Sequence, residues 1–348
     1  MPSFETLRVV EVLSERTGLQ RLRLDDGSRA YVLTELIGTV AVGDEVVVNT
    51  TAVDLDLGTG GWHVVHWNLS RRSLRRRGPG HIMKIRYTSL QTDSGSAEEH
   101  LGGSSDGRVP SLEGCPVLVG GLHSQVAVAA AVIARLRPGT RVSYVMTDGA
   151  ALPLALSDLV ADLVERSLLS GTVTAGHAFG GDLEAVSVPS ALALAVREQR
   201  AEVVICAMGP GVVGTDSPLG TSAVEVSGIL GVAQRLGGHA IAVARASSAD
   251  PRPRHLGLSH HTRTALALCE AVEVVLPPEL GDQAVGLAPH RTLVVEPPDP
   301  AAILADSGLR VTTMGRGPSD DPLFFRSVAA AASRAADLAR ARATVSHR

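Results

Sequence analysis

The fold is decided by residues 115–125, CPVLVGGLHSQ, in which a short apolar run leads through a glycine turn into a helical pattern. The same succession recurs along the chain, with polar turns at residues 147–149, 176–182, 209–215 and 245–262. Helical patterns alternate with these apolar runs, which predicts an α/β fold with a doubly wound, mostly parallel sheet. Ligands bind outside the carboxyl ends of the strands in such sheets, so we expect the turns to border one site.

The length of 348 residues suggests two domains. Residues 1–70 carry five short strand patterns separated by turns, among them Asp25-Asp26-Gly27. They predict a small N-terminal β-barrel of the SH3 or OB type. Residues 114–348 contain the alternating pattern and predict a Rossmann-like α/β domain.

Residues 71–113 are predicted to connect the two domains. They begin with an arginine-rich stretch, Arg71 to Arg77, which could contact nucleic acid. A solvated connector is the favoured interpretation, because no aromatic residues interleave with the arginines. A strand with one basic face is predicted at residues 81–87, followed by a flexible linker from Thr92 to Pro110. The net charge of −4 and the 3% of aromatic residues also argue against nucleic acid as the main partner.

The composition indicates a cytoplasmic protein without disulfide bonds. Its three cysteines, Cys115, Cys206 and Cys269, lie far apart in apolar contexts and form no zinc-knuckle spacing. The amino terminus lacks a basic region followed by an apolar core, and no apolar run is long enough to span a bilayer. We therefore expect no membrane attachment. The oligomeric state stays open, a homo-oligomer included.

Residues 209–214, GPGVVG, match the dinucleotide-binding spacing G-x-G-x-x-G after a strand. An NAD(P) site is nevertheless disfavoured, because residues 215–220 separate the motif from the next helix and the following strand ends in Arg245. The motif instead predicts an anion-binding loop, with a tight turn as the alternative. The residues of this loop expected to hold the anion are Gly209, Gly211, Gly214 and Thr215.

Residues 176–182, GHAFGGD, place an imidazole and a carboxylate between a strand and an expected helix. His177 and Asp182 could act as base and orienting group, or as two ligands of a divalent metal. Gly180 and Gly181 allow close approach of a ligand. The alternative for Asp182 is to cap the helix expected to start directly after it.

The densest polar stretch runs from Asp250 to Thr262. His255 and His260 could converge on a metal, since imidazole suits several transition metals. His260 and His261 are expected to diverge by about 100° at a helix start, so that one ion does not take both. Anion binding is the competing role predicted for three arginines: Arg245, Arg252 and Arg254. A solvated loop is the remaining alternative.

Five stretches spread over nearly the whole chain form a specific combination: Arg77 to Tyr87, Thr147 to Pro153, Gly176 to Ala185, Met208 to Gly214 and Ser259 to Thr262. Together they resemble the mostly actinobacterial family known as domain of unknown function 3866. The resemblance implies a cytoplasmic bacterial protein of two parts and implies no activity. Pro189 departs from the family's usual pattern and is expected to kink the helix that contains it.

We expect an enzyme that acts on a small phosphorylated or otherwise anionic substrate, with metal-assisted hydrolysis as the reaction to test. His177, Asp182, His260 and His261 are expected to supply acid, base or metal ligands, with Asp148 as a further carboxylate. The alternative is a non-catalytic metabolite sensor whose barrel contacts a partner. A separation of more than about 10 Å between His177 and His260 is too large for one reacting centre.

Overall fold

The computed structural model describes residues 1–57, 60–100 and 108–346. The chain divides into two compact units, Met1–Gly95 and Ser96–Arg348. The division falls inside the segment expected to connect the domains. Residues 101–107 of the expected linker lie outside the described residues.

The first unit is built around a closed five-stranded barrel, as the turn pattern predicts. Its strands are β1 (Phe4–Arg16), β2 (Leu19–Leu24), β3 (Arg29–Leu33), β4 (Glu45–Asn49) and β5 (Trp62–Asn68). The order around the barrel is β1-β2-β3-β5-β4, with β3 and β5 parallel and the other neighbours antiparallel, an arrangement of the OB type. Two short helices, α1 (Thr34–Ile37) and α2 (Thr51–Asp54), lie between the strands.

The basic connector is fastened to the barrel by two of its arginines. Arg71 donates hydrogen bonds to the backbone oxygens of Ile37 and Thr39, both at 2.7 Å. Arg76 donates to the backbone oxygen of Thr34 at 2.6 Å. These contacts position the connector, and contact with nucleic acid through Arg71 to Arg77 stays a prediction.

The strand expected at residues 81–87 is much shorter than the pattern indicates. It is β6 (Met83–Lys84), which pairs in antiparallel fashion with β7 (Thr92–Asp93). Ile85 and Tyr87 have φ angles of 52° and 62°. Such left-handed backbone is incompatible with a strand, so the alternating pattern of side chains here does not correspond to extended backbone.

The second unit contains one large parallel sheet. In chain order the strands of this unit are β8 (Pro116–Gly120), β9 (Val142–Thr147), β10 (Gly171–Ala175), β11 (Leu183–Ala185), β12 (Val203–Met208), β13 (His239–Val243), β14 (Ala246–Ser247), β15 (Gly257–Leu258), β16 (Glu273–Leu276) and β17 (Arg291–Val294). Within the described residues, β14 and β15 form a separate antiparallel pair, and the other eight form the sheet β11-β10-β9-β12-β8-β13-β16-β17. All its neighbouring strands run parallel.

Helices cover both faces of the sheet, as expected for a doubly wound fold. They are α3 (Ala97–His100), α4 (Ser124–Leu136), α5 (Asp158–Glu165), α6 (Val188–Arg197), α7 (Glu225–Arg235), α8 (His260–Ala267), α9 (Pro300–Asp306) and α10 (Pro322–Ser346), with 3-10 turns at Leu154–Leu156, Ser222–Val224, Pro253–His255 and Pro278–Leu287. One apolar core contains residues of α4, α5, α9 and α10, and a second contains residues of α6, α7 and α8. None of the described helices is both long and apolar enough to cross a bilayer.

The winding of the sheet reverses between β9 and β12 and between β8 and β13, because the connections from the two strands of each pair lead away from each other. The connection after β8 passes through α4 to β9, whereas the connection after β12 passes through α7 on the other face to β13. Crossovers that lead away from each other open a crevice at the carboxyl ends of the strands, here beside β8 and beside β12. The topology therefore places the turns after Gly120 and Met208 at the expected binding edge.

The segment after Asp182 differs from the helix expected there. Residues Leu183–Ala185 form β11 at the edge of the sheet, and α6 starts only at Val188. Ser187 caps this helix by accepting a hydrogen bond from the backbone nitrogen of Ser190. Asp182 is therefore not its N-cap. The expected kink at Pro189 is also wrong, because the proline lies in the first helical turn, where its missing N–H costs no hydrogen bond.

Substitution Ser187→Ala is expected to lower the free energy of unfolding by about 1 kcal/mol, the usual cost of losing a serine N-cap. Urea denaturation followed by circular dichroism measures this change. Ser217→Ala, in an exposed loop, serves as the matched control. An unchanged unfolding midpoint in Ser187→Ala would show that α6 does not depend on this cap.

Candidate functional site

Two of the predicted site segments meet at the carboxyl edge of the sheet. One is the glycine loop, residues 209–221, which follows β12. The other is the polar stretch from Asp250 to Thr262, which leads into α8. An ideal Cβ on Gly214 would lie 3.0 Å from Cε1 of His261, and Arg254 pairs with Asp216 at 2.7 Å. The glycine loop therefore lies directly against the histidine-bearing stretch, and Gly214 permits this approach by lacking a side chain.

The histidine cluster consists of His255, His260 and His261. One ring nitrogen of each lies within 4.8 Å of one of each of the others, a spacing that could hold a metal ion. The ring centroids of His260 and His261 are 4.3 Å apart. The expectation that these two side chains diverge is therefore wrong, because at this helix start both rings turn toward His255.

Local hydrogen bonds orient the cluster. Ser259 is fully buried and caps α8, its hydroxyl accepting from the backbone nitrogen of His261 at 3.2 Å. The same hydroxyl lies 2.7 Å from Nδ1 of His255, which leaves Nε2 of His255 to face the cluster. The Nε2 atoms of His260 and His261 are buried and have no hydrogen-bond partner among the described residues. Buried nitrogens without a partner are atoms to which a metal ion or an anion can bind.

The environment keeps all three imidazoles neutral at physiological pH. Burial and the positive charges of Arg245 and Arg252 lower the pKa of His255 to about 4. Burial, with Arg245 and the neighbouring histidines, lowers the pKa of His261 to about 3. The pKa of His260 is lowered by burial and by Arg254 and Arg245. Neutral imidazole is the form that ligates metals.

A buried ion-pair network centred on Asp250 lies next to the histidine cluster. Asp250 is 2% exposed and accepts two hydrogen bonds from the guanidinium of Arg252, at 2.9 and 2.8 Å. Arg245 and Arg316 lie 3.7 and 3.5 Å from the same carboxylate. The hydrogen bonds from Arg252 hold the pKa of Asp250 well below its usual range. Arg252 and Arg245, both predicted to bind an anion, are thus largely occupied by Asp250.

Arg245 also contacts the histidine cluster. Its Nη1 lies 3.1 Å from Nδ1 of His261, and the side chain is nearly buried. An arginine can only donate, so Nδ1 of His261 accepts and the neutral ring carries its proton on Nε2 in this arrangement. Ligation of a metal through Nε2 therefore requires the proton to move to Nδ1 and Arg245 to turn toward Asp250.

A cavity of about 20 Å³ lies beside the cluster, between Arg245, His261 and Thr262 on one side and Gly121 and Ala223 on the other. This volume accommodates about one water molecule. A pocket for a small metabolite is an order of magnitude larger. A substrate therefore does not fit into the cavity beside His261 unless a neighbouring segment moves.

A second polar group lies at the carboxyl ends of β9 and β10. The carboxylate of Asp148 accepts a hydrogen bond from the backbone nitrogen of His177 at 2.9 Å. Glu225, at the start of α7, accepts from the hydroxyl of Thr147 at 2.7 Å. Burial and the negative charge of Asp148 raise the pKa of Glu225 to about 7, against the effect of the Thr147 hydrogen bond. Sequence reasoning missed Glu225, because it follows a loop rather than a strand and its partner is distant in sequence.

The titration of Glu225 predicts a pH-dependent stability. The folded protein holds the proton more tightly than the unfolded chain, so this contribution is fully present below about pH 4.5 and is lost as the pH rises through about 7. Relative to the wild type, Glu225→Gln is expected to gain about 2 to 3 kcal/mol in the free energy of unfolding between pH 5 and pH 8. Urea denaturation at both pH values tests this, with Glu165→Gln on the exposed side of α5 as control. Equal effects at pH 5 and pH 8 would contradict the assignment.

Asp182, Gly180 and Gly181 of the 176–182 turn contact the adjoining strands β10 and β11. Asp182 accepts from the backbone nitrogen and the hydroxyl of Thr172, at 2.8 and 3.0 Å. Because Thr172 is near the start of β10, the side chain of Asp182 lies away from the carboxyl edge of the sheet. The backbone nitrogens of Gly180 and Gly181 donate to Glu184 and to Thr174. The structure therefore does not bring Asp182 together with His177, and the amides of Gly180 and Gly181 are engaged by side chains of β11 and β10.

His177 and the histidine cluster lie on different parts of the edge. His177 follows β10, whereas the cluster follows β13, and four strand spacings separate these strands. Spacings of roughly 4.8 Å give a separation of about 19 Å between the strand ends. His177 and Asp148 thus belong to the second polar group, at the ends of β9 and β10. The glycine loop lies between this group and the histidine cluster, because the backbone nitrogen of Ala151 donates to the oxygen of Pro210 at 3.0 Å.

The comparison with known families rests on almost the entire chain. The model of a protein family of unknown function, DUF3866, matches residues 29–332. The chain belongs to the DUF3866 family. The match spans most of the barrel and the sheet with both polar groups, so the histidine cluster lies within the family's own sequence. No curated protein and no solved structure matches the chain significantly.

Proposed function

We propose that this DUF3866 protein is a hydrolase for a small anionic, phosphorylated substrate and uses a divalent transition metal held by His255, His260 and His261. The observation that carries the proposal is the convergence of one ring nitrogen from each histidine within 4.8 Å. Three histidines that leave a further position open are a ligand set of catalytic zinc sites. The lowered pKa values keep the three rings neutral, as metal ligation requires.

The chemistry follows from this ligand set and its surroundings. A metal bound by three neutral histidines lowers the pKa of a bound water to about 7, which supplies a nucleophile for hydrolysis. Ser259 fixes the ring of His255. Arg254, at the edge of the cluster, supplies the positive charge that an anionic group requires. The ends of β9 and β10, which carry Asp148 and His177, lie three and four strand spacings from the end of β13, roughly 14 and 19 Å, so the proposal assigns these residues no part in the reaction.

Metal analysis of the purified protein tests the proposal first. We expect about one equivalent of zinc or a similar ion, and cobalt substitution should give the intense visible bands of a four-coordinate ion. Hydrolysis of p-nitrophenyl phosphate and of phosphorylated metabolites by the loaded protein tests the reaction. Loss of both metal and turnover in His255→Ala, with both retained in His177→Ala, supports the proposal.

Other outcomes would overturn it. If neither zinc nor cobalt binds after reloading, the metal centre is wrong. If the metal binds and phosphorylated compounds bind without turnover, the non-catalytic metabolite sensor replaces the hydrolase.

A further inference from the structure

Arg254 differs from the other two arginines predicted to bind an anion. Arg245 and Arg252 face the buried carboxylate of Asp250. Arg254 instead pairs at 2.7 Å with Asp216, whose side chain is 87% exposed. The Nε atom of Arg254 is buried and has no hydrogen-bond partner among the described residues. The guanidinium of Arg254 therefore has one buried N–H donor without a partner. Another of its donors is held by the exposed carboxylate of Asp216, which can be displaced easily.

Asp216 belongs to a compact segment of the glycine loop that contacts His261 through Gly214 and Arg254 through Asp216. Gly214 and Thr221 bridge its base, and the backbone nitrogen of Thr215 donates to the oxygen of Gly220 at 2.7 Å. Gly214 lies against the ring of His261, whereas Val213 and Leu219 are largely exposed. The segment is held closed on one side by the exposed pair of Asp216 with Arg254.

We propose that Asp216 occupies an anion subsite on Arg254 that the substrate takes over, and that residues 214–221 form a lid that opens when Asp216 is displaced. Two observations favour such a movement: the cavity beside His261 holds about one water, and Gly214 lies directly against the ring of His261. A phosphate or carboxylate of the substrate can form the same charged hydrogen bonds with the guanidinium of Arg254 as the carboxylate of Asp216 does. The inference rests on the proposed function in placing the substrate at the histidine cluster.

The subsite predicts opposite effects for its two members. Asp216→Asn removes the internal competitor and should tighten the binding of inorganic phosphate about two- to fivefold, the range expected for an exposed ion pair. Arg254→Gln should weaken phosphate binding more than about tenfold, because it removes a charged hydrogen-bond donor. Phosphate should also speed hydrogen exchange of the backbone amides in residues 209–221.

Isothermal titration of chelator-treated protein with inorganic phosphate at constant ionic strength measures these affinities. Glu270→Gln is the control, because Glu270 is also an exposed carboxylate paired with an arginine, Arg235, at 2.9 Å, but lies outside the glycine loop. Unchanged or weaker phosphate binding in Asp216→Asn would overturn the lid, and unchanged binding in Arg254→Gln would overturn the subsite. The titration needs no metal, so it tests this inference separately from the metal centre. If zinc does not bind but both variants change phosphate affinity as expected, only the proposed hydrolase is contradicted.

Discussion

Asp250→Asn is expected to lower the free energy of unfolding by about 3 to 5 kcal/mol, the cost of breaking a buried ion pair by removing one partner. The carboxylate of Asp250 is buried and faces three guanidinium groups, those of Arg245, Arg252 and Arg316. Asparagine has nearly the same shape but no charge. It leaves three arginines close together without their common counter-ion, and Arg245 is itself nearly buried.

The direction of the pKa shift agrees with this expectation. Hydrogen bonds from Arg252 lower the pKa of Asp250, so the folded state favours the charged carboxylate. A lowered pKa in the folded state means that the stabilisation is present above the unfolded value of 3.8 and is lost as the pH falls through the folded value. The difference in the free energy of unfolding between the wild type and Asp250→Asn should therefore be complete at pH 7 and should become smaller only in strong acid.

Urea denaturation at pH 7, followed by circular dichroism, measures the change. Asp216→Asn is the matched control, because it makes the same replacement in an aspartate that also pairs with an arginine but is exposed. The control should change the free energy of unfolding by less than about 1 kcal/mol. Equal losses in the two variants would mean that burial of Asp250 does not govern its contribution.

The sequence predicts the architecture well because periodicity and turn chemistry are local. The barrel follows from short strands separated by turns such as Asp25-Asp26-Gly27. The wound sheet follows from alternating apolar runs and helical patterns, as in Pro116–Gly120 followed by Ser124–Leu136. The same pattern locates the polar turns at the carboxyl edge, since parallel strands end together.

The details of the site escape this reasoning because they depend on contacts between distant segments. The edge strand Leu183–Ala185 is too short to show a period, so the pattern extends the following helix over it. A helical wheel predicts that His260 and His261 diverge, but their side-chain torsions bring both rings toward His255. Glu225 gains its raised pKa from burial beside Thr147 and Asp148, which only the folded sheet brings near it.

His260→Ala is expected to weaken zinc binding by more than about 100-fold. Removal of a supporting residue outside the ligand set already costs 10- to 100-fold in other sites, so loss of a direct ligand should cost more. His260 is the least buried member of the cluster, and its Nε2 has no partner among the described residues. Alanine is a good helix former at the start of α8, so the fold should tolerate the change.

The control replaces a histidine that lies elsewhere on the same edge. His177→Ala removes an imidazole that follows β10, whose end lies roughly 19 Å along the sheet from the end of β13, and should leave zinc affinity unchanged. Competition with a chromophoric chelator measures both affinities, and thermal unfolding with and without zinc provides a second readout, since an ion bound only by the folded state raises its stability. Equal affinities in the two variants would remove His260 from the metal centre. Equal losses would point to a metal held through His177 instead, against the separation of the two strand ends.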